Sequence, residues 1–127
     1  MTYSQSTGRL TTESLSPISP GQLIGVGYSG AGEGKNDPSF DDVVDVGPLP
    51  AGHYKIGAPE DMEGGPHGPF VLPLTPDPAN EMFGRSGFLI HGDTDPPGNA
   101  SEGCIILPRE VREAIAASPD KHLEVVP

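Results

Sequence analysis

The chain has 127 residues, of which 18 are glycine and 16 are proline, and its formal net charge is −11. Glycine and proline together make up about a quarter of the chain, which is close to the range of disordered sequences. They separate short apolar runs instead of forming one block, and this spacing is typical of a turn-rich β protein. The length predicts a single domain over residues 1–127 with one core.

The charge and the apolar runs exclude several classes of protein. The seven basic residues are spread singly among 18 acidic ones, so the surface would repel nucleic acid. No apolar run approaches the ~20 residues of a membrane span, and residues 1–10 lack the layout of a Sec signal peptide. We therefore expect a chain that neither inserts into a membrane nor uses the Sec route.

The apolar runs and turn residues predict a mainly β sandwich or barrel with one short C-terminal α-helix. In chain order, the predicted strands are an edge strand within 2–12, then 22–28, 53–56, 70–75, 87–91, 103–107 and 121–126. The segments 29–38, 59–69 and 92–101 are rich in Gly, Pro and Asp and are predicted loops. Pro108 suits the first turn of the helix, whose apolar positions from Val111 onward have helical spacing until Pro119 ends it.

Two patterns that resemble ligand sites are interpreted as structural. Residues 25–30 match the dinucleotide motif G-x-G-x-x-G after a strand, but glycines and a proline within 30–38 prevent the helix that such a site requires. Histidine and aspartate side chains that offer metal ligands share no spacing that fixes a geometry. They are His53, His67, His91, Asp93 and Asp95. The sequence therefore supports neither a metal nor another cofactor.

Residues 88–109, FLIHGDTDPPGNASEGCIILPR, contain the side chains best suited to chemistry. His91 ends one predicted strand and Cys104, the only cysteine, opens the next one thirteen positions later. Adjacent strands joined in this way can bring both side chains to one rim of a sheet. A thiol of pKa ~8.5 is mostly protonated at neutral pH, and a nearby imidazole can take its proton. The sequence therefore predicts a nucleophile and base pair.

The residues around Cys104 support this prediction. Gly103 removes a side chain where a substrate carbonyl would approach, and a turn here can direct backbone N–H groups at an oxyanion. Ser101 is predicted to orient His91 or the substrate through its hydroxyl. The alternative is that Cys104 is a small buried core residue, which is the more common role of a lone cysteine. Its position at the start of an apolar run, directly after Ser-Glu-Gly, favours a strand end beside a loop.

His91-Gly92 followed by Ser101-Glu102-Gly103-Cys104 resembles the H…S-x-G-C signature of L,D-transpeptidase catalytic domains, which are bacterial enzymes that act on peptidoglycan stem peptides. The chain is similar nearly end to end to one small branch, the L,D-transpeptidase-like effectors delivered by type VI secretion. The similar segments are residues 3–8 (YSQSTG), 27–36, 47–54 (GPLPAGHY) and 101–108 (SEGCIILP).

Two positions depart from the larger family. The chain has Glu102 where those enzymes usually have a histidine, and Ile106 where they have an arginine. The separation of His91 and Cys104 is also shorter than usual. The candidate acid–base pair is intact, but the arginine that ordinarily fixes the site or a carboxylate is missing. Arg85 is the first candidate to replace it, ahead of Arg109.

The resemblance implies that Cys104 attacks the carbonyl between the third stem residue, usually meso-diaminopimelate, and the terminal D-alanine. A thioester forms and D-alanine leaves, with His91 acting first as base and then as acid. Hydrolysis gives L,D-carboxypeptidase activity and a D-amino acid gives exchange; cross-linking by a second stem is ranked last. The predicted substrate-binding residues are Arg85, Gly92, Glu102, Tyr54 and Arg109.

The resemblance also implies a route and partners. An enzyme with a periplasmic substrate and no Sec signal requires injection by a secretion apparatus, so we expect a toxin made in the cytoplasm that acts in the periplasm of a target bacterium. A cognate immunity protein would guard the producer. One alternative is a non-catalytic wall-binding or adaptor module of the same fold. A papain-like or NlpC-type peptidase is disfavoured because its cysteine normally precedes its histidine, and only His122 follows Cys104.

Overall fold

The structure is a computed structural model that describes residues 1–12, 21–62, 68–94, 98 and 100–127. The described part contains ten short β-strands and one α-helix. In chain order they are β1 (Thr2–Ser4), β2 (Arg9–Thr11), β3 (Leu23–Val26), β4 (Tyr28–Ser29), β5 (Gly52–Ile56), β6 (Glu60–Met62), β7 (Gly68–Pro76), β8 (Leu89–His91), β9 (Ile105–Ile106), α1 (Arg109–Ala117) and β10 (His122–Val126). The predicted class, mainly β with one short C-terminal helix, is confirmed.

The strands form a mixed sheet whose two ends are joined through one residue. The order is β3-β2-β1-β10-β5-β7-β8-β9-β4, and β6 pairs with β7 beside this path. β3 ends at Val26 and β4 begins at Tyr28, so Gly27 alone links the first and last strands of the order. A sheet whose end strands are covalent neighbours must curl toward closure, as in a barrel.

Gly27 is the corner of this closure, and its lack of a side chain is a packing requirement. A Cβ atom at this position would lie 1.8 Å from the carbonyl oxygen of Ile106 in β9 and 2.8 Å from a methyl group of Leu107. The Gly27 amide also donates to the carbonyl of Gly8 at 2.8 Å. The G-x-G-x-x-G match therefore serves close packing; it contains β4 and is followed by a short 3₁₀ turn over Gly32–Gly34.

One hydrophobic cluster connects the strands with α1. The helix contributes Val111 and Ile115 to it, while Arg112 beside them is only 7% exposed. Pro108 precedes the helix as its N-cap, and Ser118 caps its C-terminus directly before Pro119. The cluster also contains, from the strands and loops, Met1, Tyr3, Leu10, Leu49, Tyr54, Ile56, Leu72, Leu74, Phe88, Ile90, Ile105, Leu107, Leu123 and Val125.

The structure differs from the sequence prediction at two elements. The single edge strand predicted within residues 2–12 is a hairpin, and β1 lies inside the sheet, parallel to β10 and antiparallel to β2. The predicted loop at 59–69 contains β6, which pairs antiparallel with β7. Glu60 and Asp61 are exposed, so no apolar alternation marks this strand in the sequence. Residues 63–67 lie outside the described part.

The Gly27 corner yields a stability prediction. Gly27→Ala should lower the free energy of unfolding by about 3 kcal/mol or more, because the new methyl group overlaps the backbone of β9. The control is Gly84→Ala, at a position with φ of 72° and open space around it. The control should cost only the roughly 1–2 kcal/mol of left-handed backbone strain. Urea unfolding measures both, and equal losses would contradict the packing argument.

Candidate active site

The pairing of β8 with β9 brings Cys104 and His91 to one face of the sheet. The two strands are parallel, with Ile90 opposite Ile105 and His91 opposite Ile106. One more step back along β9 places Cys104 beside Leu89, whose amide donates to the Cys104 Sγ at 3.3 Å. Alternate residues of a strand share a face, so Cys104 lies on the face of His91 while Ile105 points into the core.

Because β8 and β9 are parallel, the positions of His91 and Cys104 differ from the predicted arrangement in one respect. His91 ends β8 and Cys104 precedes β9, so the two residues flank opposite ends of the ladder instead of one rim. The ladder is only two pairs long, and the residues are offset by two positions, roughly 6.6 Å along the strands. They are therefore diagonal neighbours on adjacent strands, a relation in which residues typically lie roughly 7–8 Å apart.

A backbone hydrogen bond defines the proton position on His91. The side chain is 2% exposed, and its Nδ1 lies 2.9 Å from the carbonyl oxygen of Gly92. A carbonyl only accepts hydrogen bonds, so Nδ1 carries the proton in this contact. In the neutral ring, Nε2 is then the nitrogen with the lone pair. This is the tautomer that a general base requires, and the residue that fixes it is the next one in the chain.

Burial disfavours ionisation of the Cys104 thiol. Cys104 is 9% exposed, and burial raises the pKa of its thiol above the ordinary value. The hydrogen bond from the Leu89 amide and the charge of Arg85 lower this pKa, and the carboxylate of Glu102 raises it, but burial is the largest contribution. Cys104 therefore needs a base before it can act as a nucleophile.

Ser101 organises the backbone around Cys104, and this differs from the predicted contact with His91 or substrate. Its hydroxyl donates to the Cys104 carbonyl at 2.6 Å and accepts from the amides of Gly30 at 2.9 Å and Gly103 at 3.0 Å. One donor and two acceptor positions are thus used within the protein. The Gly103 amide is likewise directed at Ser101, so it does not serve as an oxyanion donor in this conformation.

Arg85, predicted as a cation for a substrate carboxylate, is buried and binds several backbone carbonyls. The residue is 6% exposed, and its guanidinium donates to four backbone carbonyls, those of Asp41, Gly47, Pro48 and Glu102. The space that a Gly103 Cβ would occupy is also filled, because it lies 2.6 Å from Nη2 of Arg85. Gly103 has φ of 129°, so its lack of a side chain suits a left-handed backbone and close packing.

Three other predicted binding residues, Tyr54, Glu102 and Arg109, differ in their exposure and contacts. Tyr54 is 2% exposed and its hydroxyl donates to the Pro50 carbonyl at 2.7 Å, so the ring belongs to the core. Glu102 is exposed, two residues before Cys104. Arg109 is about half exposed, pairs with Glu113 at 3.0 Å and lies over the ring of Phe70.

A cleft of about 500 Å³ opens beside His91, where β8 and β9 end. Its walls contain Gly92 and Asp93, which follow β8, and Arg109 and Arg112 at the start of α1. The remaining lining residues are Val26, Gly27, Tyr28, Ile106, Leu107 and Pro108. Gly92 and Arg109, predicted from the sequence, are therefore brought together, and Arg112 joins them.

Arg112 was missed by the sequence analysis. Its position one residue after the buried Val111 gives it the pattern of a surface cation, yet it is almost fully buried. Its guanidinium donates to the carbonyls of Leu107, Pro69 and Phe70. The sequence does give one signal for a position near the site: the helix that contains Arg112 begins three residues before it and directly follows the strand after Cys104.

A larger groove of about 570 Å³ lies elsewhere, around His53 and His122 on β5 and β10. Their rings stack, and His53 Nδ1 lies 3.0 Å from His122 Nε2. The residues that line this groove do not include Cys104. Across the described residues, no three His, Cys, Asp or Glu side chains are grouped to hold a metal ion. Asp95 and His67 lie outside that part of the chain.

These features define a mainly β protein with a candidate cysteine–histidine site on two parallel strands. The family model of the Tlde1 domain matches residues 25–127. The chain belongs to this family, which is one of type VI secretion effectors. No curated protein and no solved structure matches it significantly. The helix described here is too short and too polar to cross a membrane.

The hydrogen bonds of Ser101 give a testable prediction. Ser101→Ala should lower the free energy of unfolding by about 3 kcal/mol, because two buried amides and a carbonyl lose their partner. Ser86→Ala, at an exposed serine, should stay within about 0.5 kcal/mol of the wild type. Thermal and urea unfolding measure the difference. A Ser101→Ala protein as stable as the control would show that this network contributes nothing.

The buried thiol predicts a pH profile for alkylation. Only the thiolate reacts, so the raised pKa of Cys104 should shift the half-maximal iodoacetamide rate to a higher pH than in the same protein unfolded in denaturant. The unfolded chain should titrate near the ordinary cysteine pKa of about 8.5. A native midpoint below the unfolded one would contradict this prediction and would indicate a thiolate paired with a His91 imidazolium.

Proposed function

We propose that this chain is a cysteine-dependent enzyme that acts on peptidoglycan stem tetrapeptides, with Cys104 as nucleophile and His91 as base. The observation that carries the proposal is the β8–β9 register, which puts both residues on one face of adjacent strands. The Gly92 carbonyl supports it, because it holds the proton on Nδ1 of His91 and leaves the lone pair on Nε2. The H…S-x-G-C resemblance supplies the substrate class.

The reaction begins with proton transfer from the Cys104 thiol to Nε2 of His91. The thiolate attacks the carbonyl carbon of the bond that joins diaminopimelate to the terminal D-alanine. The tetrahedral intermediate collapses by breaking the C–N bond, and the His91 imidazolium returns its proton to the departing amine. D-alanine leaves, and the shortened stem remains on Cys104 as a thioester.

The second step regenerates the thiol. His91 removes a proton from water or from the amine of a free D-amino acid, which attacks the thioester carbonyl, and the sulfur leaves and is reprotonated. Water gives a trimmed tripeptide, and the D-amino acid gives an exchanged stem. Both products remove the donors that cross-linking enzymes use, so trimming and exchange suit a small toxin better than cross-linking does.

Family membership supports delivery by a type VI secretion apparatus into a target cell. The proposed site of action is the periplasm of that cell, where stem peptides are exposed. The producer and its siblings would then need an immunity protein that blocks the site. Such a protein has a clear surface to cover, since the cleft beside His91 is open to solvent at Asp93 and Arg109.

One observation favours a second candidate function, a non-catalytic wall-binding or adaptor module. Cys104 and His91 are both buried, and burial raises the pKa of the thiol. In such a module Cys104 would be an inert core residue, and stem peptides would bind without turnover. The two functions differ in a single measurable event, which is the release of D-alanine.

The proposal predicts that Cys104→Ala and Cys104→Ser fold but release no D-alanine from stem tetrapeptides, because a serine hydroxyl beside one imidazole is far harder to activate than a thiol. His91→Ala should lower the rate by roughly 10²–10⁴-fold, which is the usual contribution of a general base. Ser86→Ala serves as the control and should match the wild type. Mass spectrometry of muropeptides reads out each protein, and wild-type profiles from either cysteine variant would overturn the enzyme.

A further inference from the structure

We propose that Tyr28 is a positioning residue for the candidate site, because its hydroxyl holds both ends of the segment that links His91 to Cys104. Tyr28 lies in β4, which pairs with β9. Its hydroxyl donates to Oδ1 of Asp93 at 2.6 Å and accepts from the Ala100 amide at 2.9 Å. One atom of β4 thus contacts the linking segment shortly after His91 and again shortly before Cys104.

The contact with Asp93 reaches His91 through the backbone. The peptide group that joins Gly92 to Asp93 carries the carbonyl oxygen that lies 2.9 Å from Nδ1 of His91. The Asp93 carboxylate also accepts from the amides of Thr94 and Gly98, so its position is fixed by several donors. Because a peptide group is planar, anchoring Asp93 limits the rotation of this carbonyl. The anchor therefore helps to keep the proton on Nδ1 and the lone pair on Nε2.

The contact with Ala100 reaches Cys104 through the neighbouring serine. Ala100 directly precedes Ser101, whose hydroxyl donates to the Cys104 carbonyl at 2.6 Å. The next residue of β4 holds the same turn, because the Ser29 hydroxyl donates to the Gly103 carbonyl at 2.8 Å. Consecutive residues of β4 therefore fix the backbone that presents the thiol.

The protonation states of the two side chains suit this arrangement. Burial and the hydrogen bond to Asp93 raise the pKa of Tyr28 to about 12, so the phenol keeps its proton at neutral pH. Burial raises the pKa of Asp93, but the hydrogen bonds from Tyr28 and the backbone amides outweigh burial and lower this pKa. The contact is thus a charge-assisted hydrogen bond, and its 2.6 Å distance is typical of that class. Lys35 adds support, since its Nζ lies 4.6 Å from the centre of the Tyr28 ring and donates to the Gly98 carbonyl.

The positioning role rests on the proposed function, in which Nε2 of His91 takes the proton of Cys104. Such a step depends on geometry, and a displacement of about 1 Å can cost roughly a hundredfold in rate. The β8–β9 ladder beside these residues is only two pairs long, so strand pairing alone holds them weakly in register. Tyr28 supplies a further link between the segments that follow His91 and precede Cys104.

The first test measures the coupling between Tyr28 and His91 without any stem peptide. The rate of Cys104 alkylation by iodoacetamide at pH 7 is compared in the wild type, Tyr28→Phe, His91→Ala and the double variant. Relative to its effect in the His91→Ala background, Tyr28→Phe should lower the rate roughly three- to tenfold when His91 is present, because the hydroxyl acts through the imidazole. A general change in the exposure of the thiol would alter both backgrounds alike. An equal effect of Tyr28→Phe in the two backgrounds, or no effect in either, would overturn the proposal.

A second variant and a spectroscopic measurement test the effect on His91 directly. Asp93→Ala breaks the same hydrogen bond from its other end, and it remains informative if Tyr28→Phe fails to fold. The ¹⁵N chemical shifts of the His91 ring report which nitrogen carries the proton. The wild type should carry it on Nδ1, and either variant should move part of the population to Nε2. The matched control is Tyr3→Phe, which removes a buried hydroxyl with no hydrogen-bond partner among the described residues and should keep the wild-type shifts and alkylation rate. Wild-type His91 shifts in both site variants would contradict the positioning role.

The outcome is separable from that of the proposed function, because neither measurement requires turnover. Coupling between Tyr28 and His91 together with no D-alanine release by the wild type would retain the positioning role and reject the enzyme. D-alanine release by the wild type, with no coupling and an unchanged kcat in Tyr28→Phe, would retain the enzyme and reject the positioning role. If both hold, Tyr28→Phe should lower kcat for D-alanine release roughly ten- to a hundredfold and leave KM nearly unchanged, since the hydroxyl is engaged within the protein.

Discussion

The contact between Gly27 and the backbone of β9 is the constraint on which the candidate site depends. It brings β4 against β9, so that Tyr28 pairs with Ile106 and Ser29 with Ile105. Ser29 then donates to the Gly103 carbonyl, and the next amide along β4 donates to Ser101. Without this closure, β9 would be a two-residue edge strand, and the turn that presents Cys104 would lose both of these hydrogen bonds.

Two buried arginines from other segments of the chain hold the backbone near Cys104. The chain has no arginine two residues after Cys104, where Ile106 is packed in the sheet instead. Arg85 reaches the Glu102 carbonyl from another segment and ties it to residues 41–48, while Arg112 ties the end of β9 to β7. Each guanidinium donates to several backbone carbonyls, and such charged hydrogen bonds are among the stronger ones in proteins. Two of the four arginines therefore stabilise the turns on either side of β9.

Sequence reasoning succeeded where local chemistry determines structure. Prolines 108 and 119 bracket α1, and apolar runs locate β5, β7 and β10 within two residues of their ends. Sequence reasoning failed where the residues that contact each other are distant in the chain. The parallel direction of β8 and β9, the position of β1 inside the sheet, and the burial of Arg85 and Arg112 all follow from tertiary contacts that leave no periodicity. The His91 and Cys104 pair was found because its residue types are informative without any structure.

The position of β10 has a consequence for how the protein folds. This strand lies between β1 and β5 and so joins β1–β3 to the strands that carry Cys104. Its partner β1 is more than a hundred residues earlier in the chain. Pairing over such a distance closes a long loop, and sheets of this kind fold slowly, in milliseconds to seconds. A chain emerging from the ribosome has no complete sheet until β10 has been synthesised, so this domain reaches its folded form only after β10 has left the ribosome.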